Sequence, residues 1–336
     1  MRPMILRAVC ASLAAALVTI PSVAPAQGAQ RVYVAVAEPV PMAVPAAATA
    51  IADALKGGGW TVLADHAVGG DRNCTYGAHV VVAQQPAHTA ALLAAGTTGA
   101  FAVPVRISVF EDERGVHVAM VNPLSIERTV IDKAGFEASG RALINDVAGI
   151  VAGATRGTRA NRPFGQSRDR GLIGKTMGVM AGGPFAEQLR VVTTAPAATN
   201  ADVARIADGI WERLRQPPKG EWQLKGIYRL DLAEHGVVIL GVSGAAMETR
   251  AFRIVGAGED DSRSDFKCPG LAYAAAFPLE VIIRRDGAQA KVEIIDAMFR
   301  MKMYFEDAGR MKFARNMGMP GSIAGELKAI IEGRAQ

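Results

Sequence analysis

The chain has 336 residues, half of them hydrophobic, and 37 basic against 32 acidic side chains give a formal charge of +5. That excess is local: Arg2 and Arg7 sit at the extreme N-terminus, and between Thr155 and Thr176 six basic residues stand against Asp169 alone. It is not the basic, aromatic-studded face of a nucleic-acid binder, and past Ala26 no stretch is apolar enough to cross a bilayer.

In chain order, Met1 to Arg7 supplies a positive n-region and Ala8 to Ile20 an apolar run too short to span. Val23-Ala24-Pro25-Ala26 then ends in the small-x-small pattern of a signal peptidase site, so cleavage is expected near Ala26 and the mature chain is expected to be periplasmic or secreted. Arg31 to Val36 alternates as a strand. Ala46 to Lys56 reads as an Ala-rich helix stopped by Gly57-Gly58-Gly59, and strands follow at Trp60 to Ala64 and His79 to Ala83. Pro86 opens a helix to about Ala95. Val103 to Phe110 and Val116 to Val121 form a hairpin around Asp112-Glu113-Arg114-Gly115.

The same order returns in the second half. Leu189 to Thr193 is a strand, and Asn200 caps a helix with Val203, Ile206, Ile210, Trp211 and Leu214 at helical spacing, ended by Pro217-Pro218. Strands at Gly226 to Leu232 and Val237 to Gly241 precede a helix from about Ala245. A hairpin, Leu279 to Arg284 with Ala290 to Ile295, turns at Asp286-Gly287. Phe277-Pro278-Leu279-Glu280 echoes Val103-Pro104-Val105-Arg106 at a register of about 174 residues, and Ile206-Ala207-Asp208 echoes Ile51-Ala52-Asp53 at about 155. A domain-sized period is a tandem duplication rather than a solenoid.

The expected fold is therefore α+β: two repeated β-α-β-β-α-β-β domains, each a mainly antiparallel sheet with helices packed on it. The boundaries read 1–26 signal peptide, 27–154 first domain, 155–185 Gly/Arg-rich linker and 186–336 second domain. The second domain carries an insertion near 256–272 and a C-terminal helix starting at Pro320 and Ser322.

Ala83-Gln84-Gln85-Pro86, an Ala-rich helix, then Phe101-Ala102-Val103-Pro104-Val105 running to Phe110-Glu111-Asp112, and the closing Asn122-Pro123, resemble the domain-of-unknown-function family 302. Phe277-Pro278-Leu279-Glu280-Val281 and Asp296-Ala297-Met298 resemble it in a second, diverged copy. The resemblance implies a compact α+β fold that tends to pair with itself, within the chain or as a homodimer, and it implies no activity. The Cys frequent in that family after the strand Pro is replaced here by Val105 and Leu279, which removes any thiol or metal role borrowed from it.

Several motifs have plainer readings. Leu240-Gly241-Val242-Ser243-Gly244 resembles a dinucleotide-binding turn, but the third glycine is missing and a tight strand-to-helix turn accounts for it better. Gly174-Lys175-Thr176 lacks the first glycine of a phosphate loop. His66, His79, His88, His117 and His235 show no zinc-ligand spacing. Glu259, Asp260, Asp261 and Asp265 read as a solvated acidic loop, one that could also meet the Arg-rich linker.

Cleavage near Ala26 removes Cys10 and leaves Cys74 and Cys268. In an oxidising compartment the pair reads as an interdomain disulfide, against two free thiols or a bridge between chains. Six methionines crowd residues 298–319. Their Met-x-Met spacing offers Met301, Met303, Met317 and Met319 as soft ligands for copper, set against the packing role methionine has in irregular cores.

The function these features favour is a non-enzymatic binding or accessory module with no cofactor, taking an unidentified small ligand or protein partner at a domain interface. A copper or redox protein using the Met-rich segment is the alternative, and an enzyme on a small anionic substrate a third reading.

Overall fold

The computed structural model describes residues 30–70, 73–131, 135–168, 172–173, 183–256, 263–305 and 310–334. The expected signal peptide, Lys175, and Glu259, Asp260 and Asp261 lie outside them. Two antiparallel sheets carry the fold. The first unit runs β1 (Gln30–Val40), α1 (Val44–Gly57), β2 (Thr61–Ala67), β3 (Ala78–Gln84), α2 (Pro86–Ala95), a 3₁₀ segment (Thr97–Ala102), β4 (Val105–Asp112) and β5 (Gly115–Val121). Helices α3 (Pro123–Val130) and α4 (Glu137–Thr155) and strand β6 (Arg159–Arg168) complete it, and a two-residue ladder, β7 (Leu172–Ile173) with β8 (Gly183–Pro184), follows.

The second unit runs β9 (Leu189–Pro196), α5 (Asn200–Leu214), β10 (Lys225–Leu232), β11 (Val237–Ser243), α6 (Ala245–Val255), a 3₁₀ segment (Pro269–Ala276), β12 (Leu279–Asp286) and β13 (Gln289–Ile295). It ends in α7 (Ala297–Phe305), α8 (Arg310–Arg315) and α9 (Met319–Ile331). Both units thus show β-α-β-β-α-β-β with helices packed on a sheet. Strand orders correspond: β2-β3-β4-β5-β1, then β6, in one, and β10-β11-β12-β13-β9 in the other.

Two local differences from the sequence reading concern β6 and the start of α5. Residues 159–168, read as linker, form β6, an edge strand paired with β1, where Phe164 stacks on Tyr33 at 5.2 Å. Its Arg, Gly and Pro hide the alternation that marks most strands. Helix α5 is capped by Thr199, one residue before the expected Asn200. The Thr199 hydroxyl accepts from Asp202 N–H at 3.3 Å and the Asp202 carboxylate accepts from Thr199 N–H at 2.9 Å, a reciprocal capping box. Corresponding caps also open α3 and α7: Asn122 accepts from Leu124 N–H at 3.0 Å, and Asp296 from Met298 N–H at 3.1 Å.

The first sheet is buried on both faces, and the period-2 alternation of its strands sorts the two cores. Val105, Ile107 and Val109 of β4 point to α1 and α4, with Ile51, Leu55 and Val147. Arg106, Ser108 and Phe110 point the other way, toward the second unit. There the 3₁₀ segment Pro269–Ala276 packs on β4, while Thr97–Ala102 of the first unit packs reciprocally on β12. Tyr33 meets Tyr273 edge-on at 5.1 Å and donates to the Tyr304 carbonyl at 3.0 Å. Cys74 and Cys268 are bonded across the units, their Cα atoms 5.9 Å apart. No helix among the described residues is long and apolar enough to cross a membrane.

Candidate functional site

Where the two sheets face each other, a largely buried charged cluster forms. Arg106 on β4 and Glu280 on β12 are 1% and 3% exposed, and Arg106 Nη1 donates to Glu280 Oε1. Arg106 Nη2 donates to the Tyr304 hydroxyl at 2.5 Å, and its guanidinium lies 4.7 Å over the Tyr304 ring. From α7, Arg300 donates through Nη2 to the Ala276 and Pro278 carbonyls at 2.7 and 3.0 Å and to Glu280 Oε2 at 3.3 Å. The cost of drying these charges is offset by pairing and by the Ala276 and Pro278 carbonyls, although Arg106 Nε is buried without a partner among the described residues.

Tyr228 completes the cluster. Its neighbour across the strands is Gly241, which in turn faces Glu280. A side chain at Gly241 would overlap the Tyr228 ring, so the glycine is what lets that ring lie flat toward Glu280. The Tyr228 hydroxyl is buried and has no hydrogen-bond partner among the described residues. Burial, then the Glu280 charge, pushes its pKa well above the usual value. Burial likewise raises Tyr304, against the opposing pull of Arg106. Both phenols stay neutral. With two guanidinium groups to one carboxylate, the cluster keeps one positive charge in excess.

Glu280 and Arg300 also form the floor of a cavity of about 100 Å³ between α6, α7, α9 and the ends of β12 and β13. Its walls are apolar, among them Met247, Ile254, Leu279, Phe305, Ile323 and Leu327. Asn316 is the other polar residue at its edge, where its side-chain oxygen accepts from Arg250 Nη2 at 3.0 Å. Helix α9, which forms one wall, is held by Glu326, which accepts from the Trp222 and Leu224 backbone N–H groups at 2.9 and 3.2 Å. Ser322 Oγ, in turn, accepts from Trp222 Nε1 at 2.9 Å.

The structure divides the four methionines singled out by sequence. Met301 and Met319 line the cavity together with Met247, which the spacing argument had no means of including. Met303 is 1% exposed in the core, and Met317 is 39% exposed. No group of three or more His, Cys, Asp and Glu side chains placed to hold a metal occurs among the described residues. Arg106, Glu280 and Arg300 were missed as site residues, because nothing local marks a charge that will be buried by a partner far along the chain.

Two further polar clusters tie the units together. His117 on β5 contacts Asp112 at 2.8 Å and Glu38 at 3.2 Å, one carboxylate at each ring nitrogen. Arg263, from the insertion of the second unit, donates to Asp112 at 2.8 Å, and Arg162 on β6 donates to Glu38 at 2.9 Å. The second cluster centres on Glu248 of α6, which accepts from Ser243 Oγ, contacts His66 Nε2 at 2.8 Å and accepts from Gly69 N–H at 2.6 Å. The Ser243-Gly244 turn is indeed a tight strand-to-helix junction: a Cβ on Gly244 would strike the Trp222 carbonyl.

No protein-family model matches this sequence, and no curated protein does. Among solved structures the chain is similar to one described as "Crystal structure of uncharacterized conserved protein DUF302 from Bacillus stearothermophilus". The identity is 12%, over 37% of this chain and 94% of that one, with a TM-score of 0.27.

Proposed function

We propose that the chain is an exported, non-enzymatic binding module of two family-302-like units, which takes a small apolar molecule between α6, α7 and α9. The cavity carries this reading: it is concave, walled by aliphatic and aromatic side chains, and furnished with few polar groups. Among the described lining residues there is no Ser, Thr, Cys or His. The apolar run Ala8 to Ile20 and the small-x-small motif before Gln27 support export.

Thermal unfolding of the mature chain with and without 1-octanol tests the reading. A ligand bound only by the folded state raises Tm with concentration. Ala324→Phe, which places a ring into the cavity, is expected to abolish the rise. Absence of any shift in the wild-type protein overturns the proposal.

The three cavity thioethers, Met247, Met301 and Met319, support a second reading in which the ligand is Cu(I). Anaerobic Cu(I) titration against a competing chelator separates the two. Binding that is lost in Met301→Leu/Met319→Leu favours the metal, and its absence removes it.

A further inference from the structure

We infer that the molecule taken by this cavity is an amphipathic anion, whose carboxylate meets Nη1 of Arg300 while its apolar tail lies against the α6 and α9 walls. The inference rests on the binding reading above and adds the chemistry of the head group.

Three observations carry it. First, Arg300 is 7% exposed and lines the cavity, yet its donors are unequally used. Nε and Nη2 are taken by Glu280 and by the carbonyls of Ala276 and Pro278. Nη1 makes no hydrogen bond to any described residue and is not sealed among the buried unpartnered atoms. Its N–H groups are therefore the donors that this cavity-lining residue has left over.

Second, the floor is electrically unbalanced. Arg106 and Arg300 share the single carboxylate of Glu280, and Tyr228 and Tyr304 remain neutral because burial raises both. A desolvated excess charge is costly unless an opposite charge comes to it, and a carboxylate on Nη1 supplies one through a charge-assisted hydrogen bond. An ammonium head would add to the excess; a neutral head could accept the bond but would leave the charge in place.

Third, the polarity is confined to one end. From Glu280 and Arg300 the lining continues as Ile294, Met301, Met319, Ile323 and Ala324, and Arg300 is the one cation among the described lining residues. One charged anchor and an apolar trough select a molecule with one anionic end.

Isothermal titration of the mature chain with octanoate, methyl octanoate and octylamine, each also run against Ala324→Phe, tests this. Octanoate is expected to bind about tenfold or more tighter than its methyl ester, the increment of a charge-assisted over a neutral hydrogen bond. Octylamine is expected to bind weakest, and Ala324→Phe to remove all binding. Arg300→Gln is expected to bring octanoate down to the level of the ester. Equal binding of octanoate and ester, both blocked by Ala324→Phe, overturns the anionic head while leaving the apolar site intact. Failure of all three ligands overturns the binding reading itself. Octanoate binding that survives Ala324→Phe places the anion elsewhere and overturns the inference. The comparison among ligands needs only the wild-type protein, so it stands even where Arg300→Gln does not fold.

Discussion

Arg106 and Glu280 hold the same place in two sheets of the same strand order, 174 residues apart, and each is the other's ion-pair partner. Val82 lies across the ladder from Arg106 just as Gly241 lies across from Glu280. The correspondence visible in the sequence as a repeat is thus, in space, a contact. The reciprocal seating of the two 3₁₀ segments on each other's sheets brings these two positions together.

The cluster makes the two partners unequal. Glu280→Leu leaves two buried guanidinium groups with no carboxylate, and a loss of about 3–5 kcal/mol in folding stability is expected. Arg106→Met leaves the Glu280–Arg300 pair, which is neutral as a unit, so its loss should be smaller. Urea unfolding of the two variants gives the order; a larger loss for Arg106→Met contradicts it.

Gly241 is required by the ring beside it. Gly241→Ala puts a methyl group into the volume of Tyr228 and is expected to cost about 1–3 kcal/mol as overpacking. The double variant Gly241→Ala/Tyr228→Leu should recover part of that loss, because the smaller side chain vacates the collision. A double-mutant cycle by urea unfolding measures the coupling, and simple additivity rules the contact out.

The Cys74–Cys268 bond closes a sequence separation of 194 residues across the two units. Loop-closure entropy predicts a loss of about 2–5 kcal/mol in the Cys74→Ser/Cys268→Ser variant. Non-reducing mass analysis should show the wild-type chain lighter by the two hydrogens lost to the bond.

The cluster around His117 sets a pH window. Burial opposes the charge on His117, but the Asp112 and Glu38 carboxylates prevail and raise its pKa above the ordinary 6.5. The folded chain thus keeps a proton that the unfolded chain releases. This contribution is complete below pH 6.5 and fades as pH climbs through the raised value. Glu38 and Asp112 run opposite. Burial works against their charge, but His117 with Arg162 holds Glu38, and His117 with Arg263 holds Asp112, below the ordinary 4.5 and 3.8. Their contribution is complete above those values and fades as pH falls through the lowered ones. Urea unfolding against pH should show stability declining on the alkaline side of 6.5 for the wild type, with that slope reduced in His117→Gln.

The element order was legible because its signals are local: alternation in β4 and β5, helical spacing in α5, and turn residues between them. The α4 helix escaped notice because Gly140, Gly149 and Gly153 dilute its apolar period, and Gly140 is there to let Leu124 and Glu127 approach. The site was less legible. Met301 and Met319 were singled out and do line the cavity, yet Arg300, immediately before Met301 in sequence, was passed over. Its burial comes from Tyr304 beneath it and from carbonyls at Ala276 and Pro278, which no spacing rule connects to position 300.

Opposite charges at matching positions also govern which surfaces recognise each other when many copies of the chain are unfolded together. Two first units meeting face to face would press Arg106 against Arg106, and two second units Glu280 against Glu280, in an interface with little water to screen either pair. Only unlike halves neutralise. The pair therefore discriminates against the association of like units, and directs every first unit toward a second one.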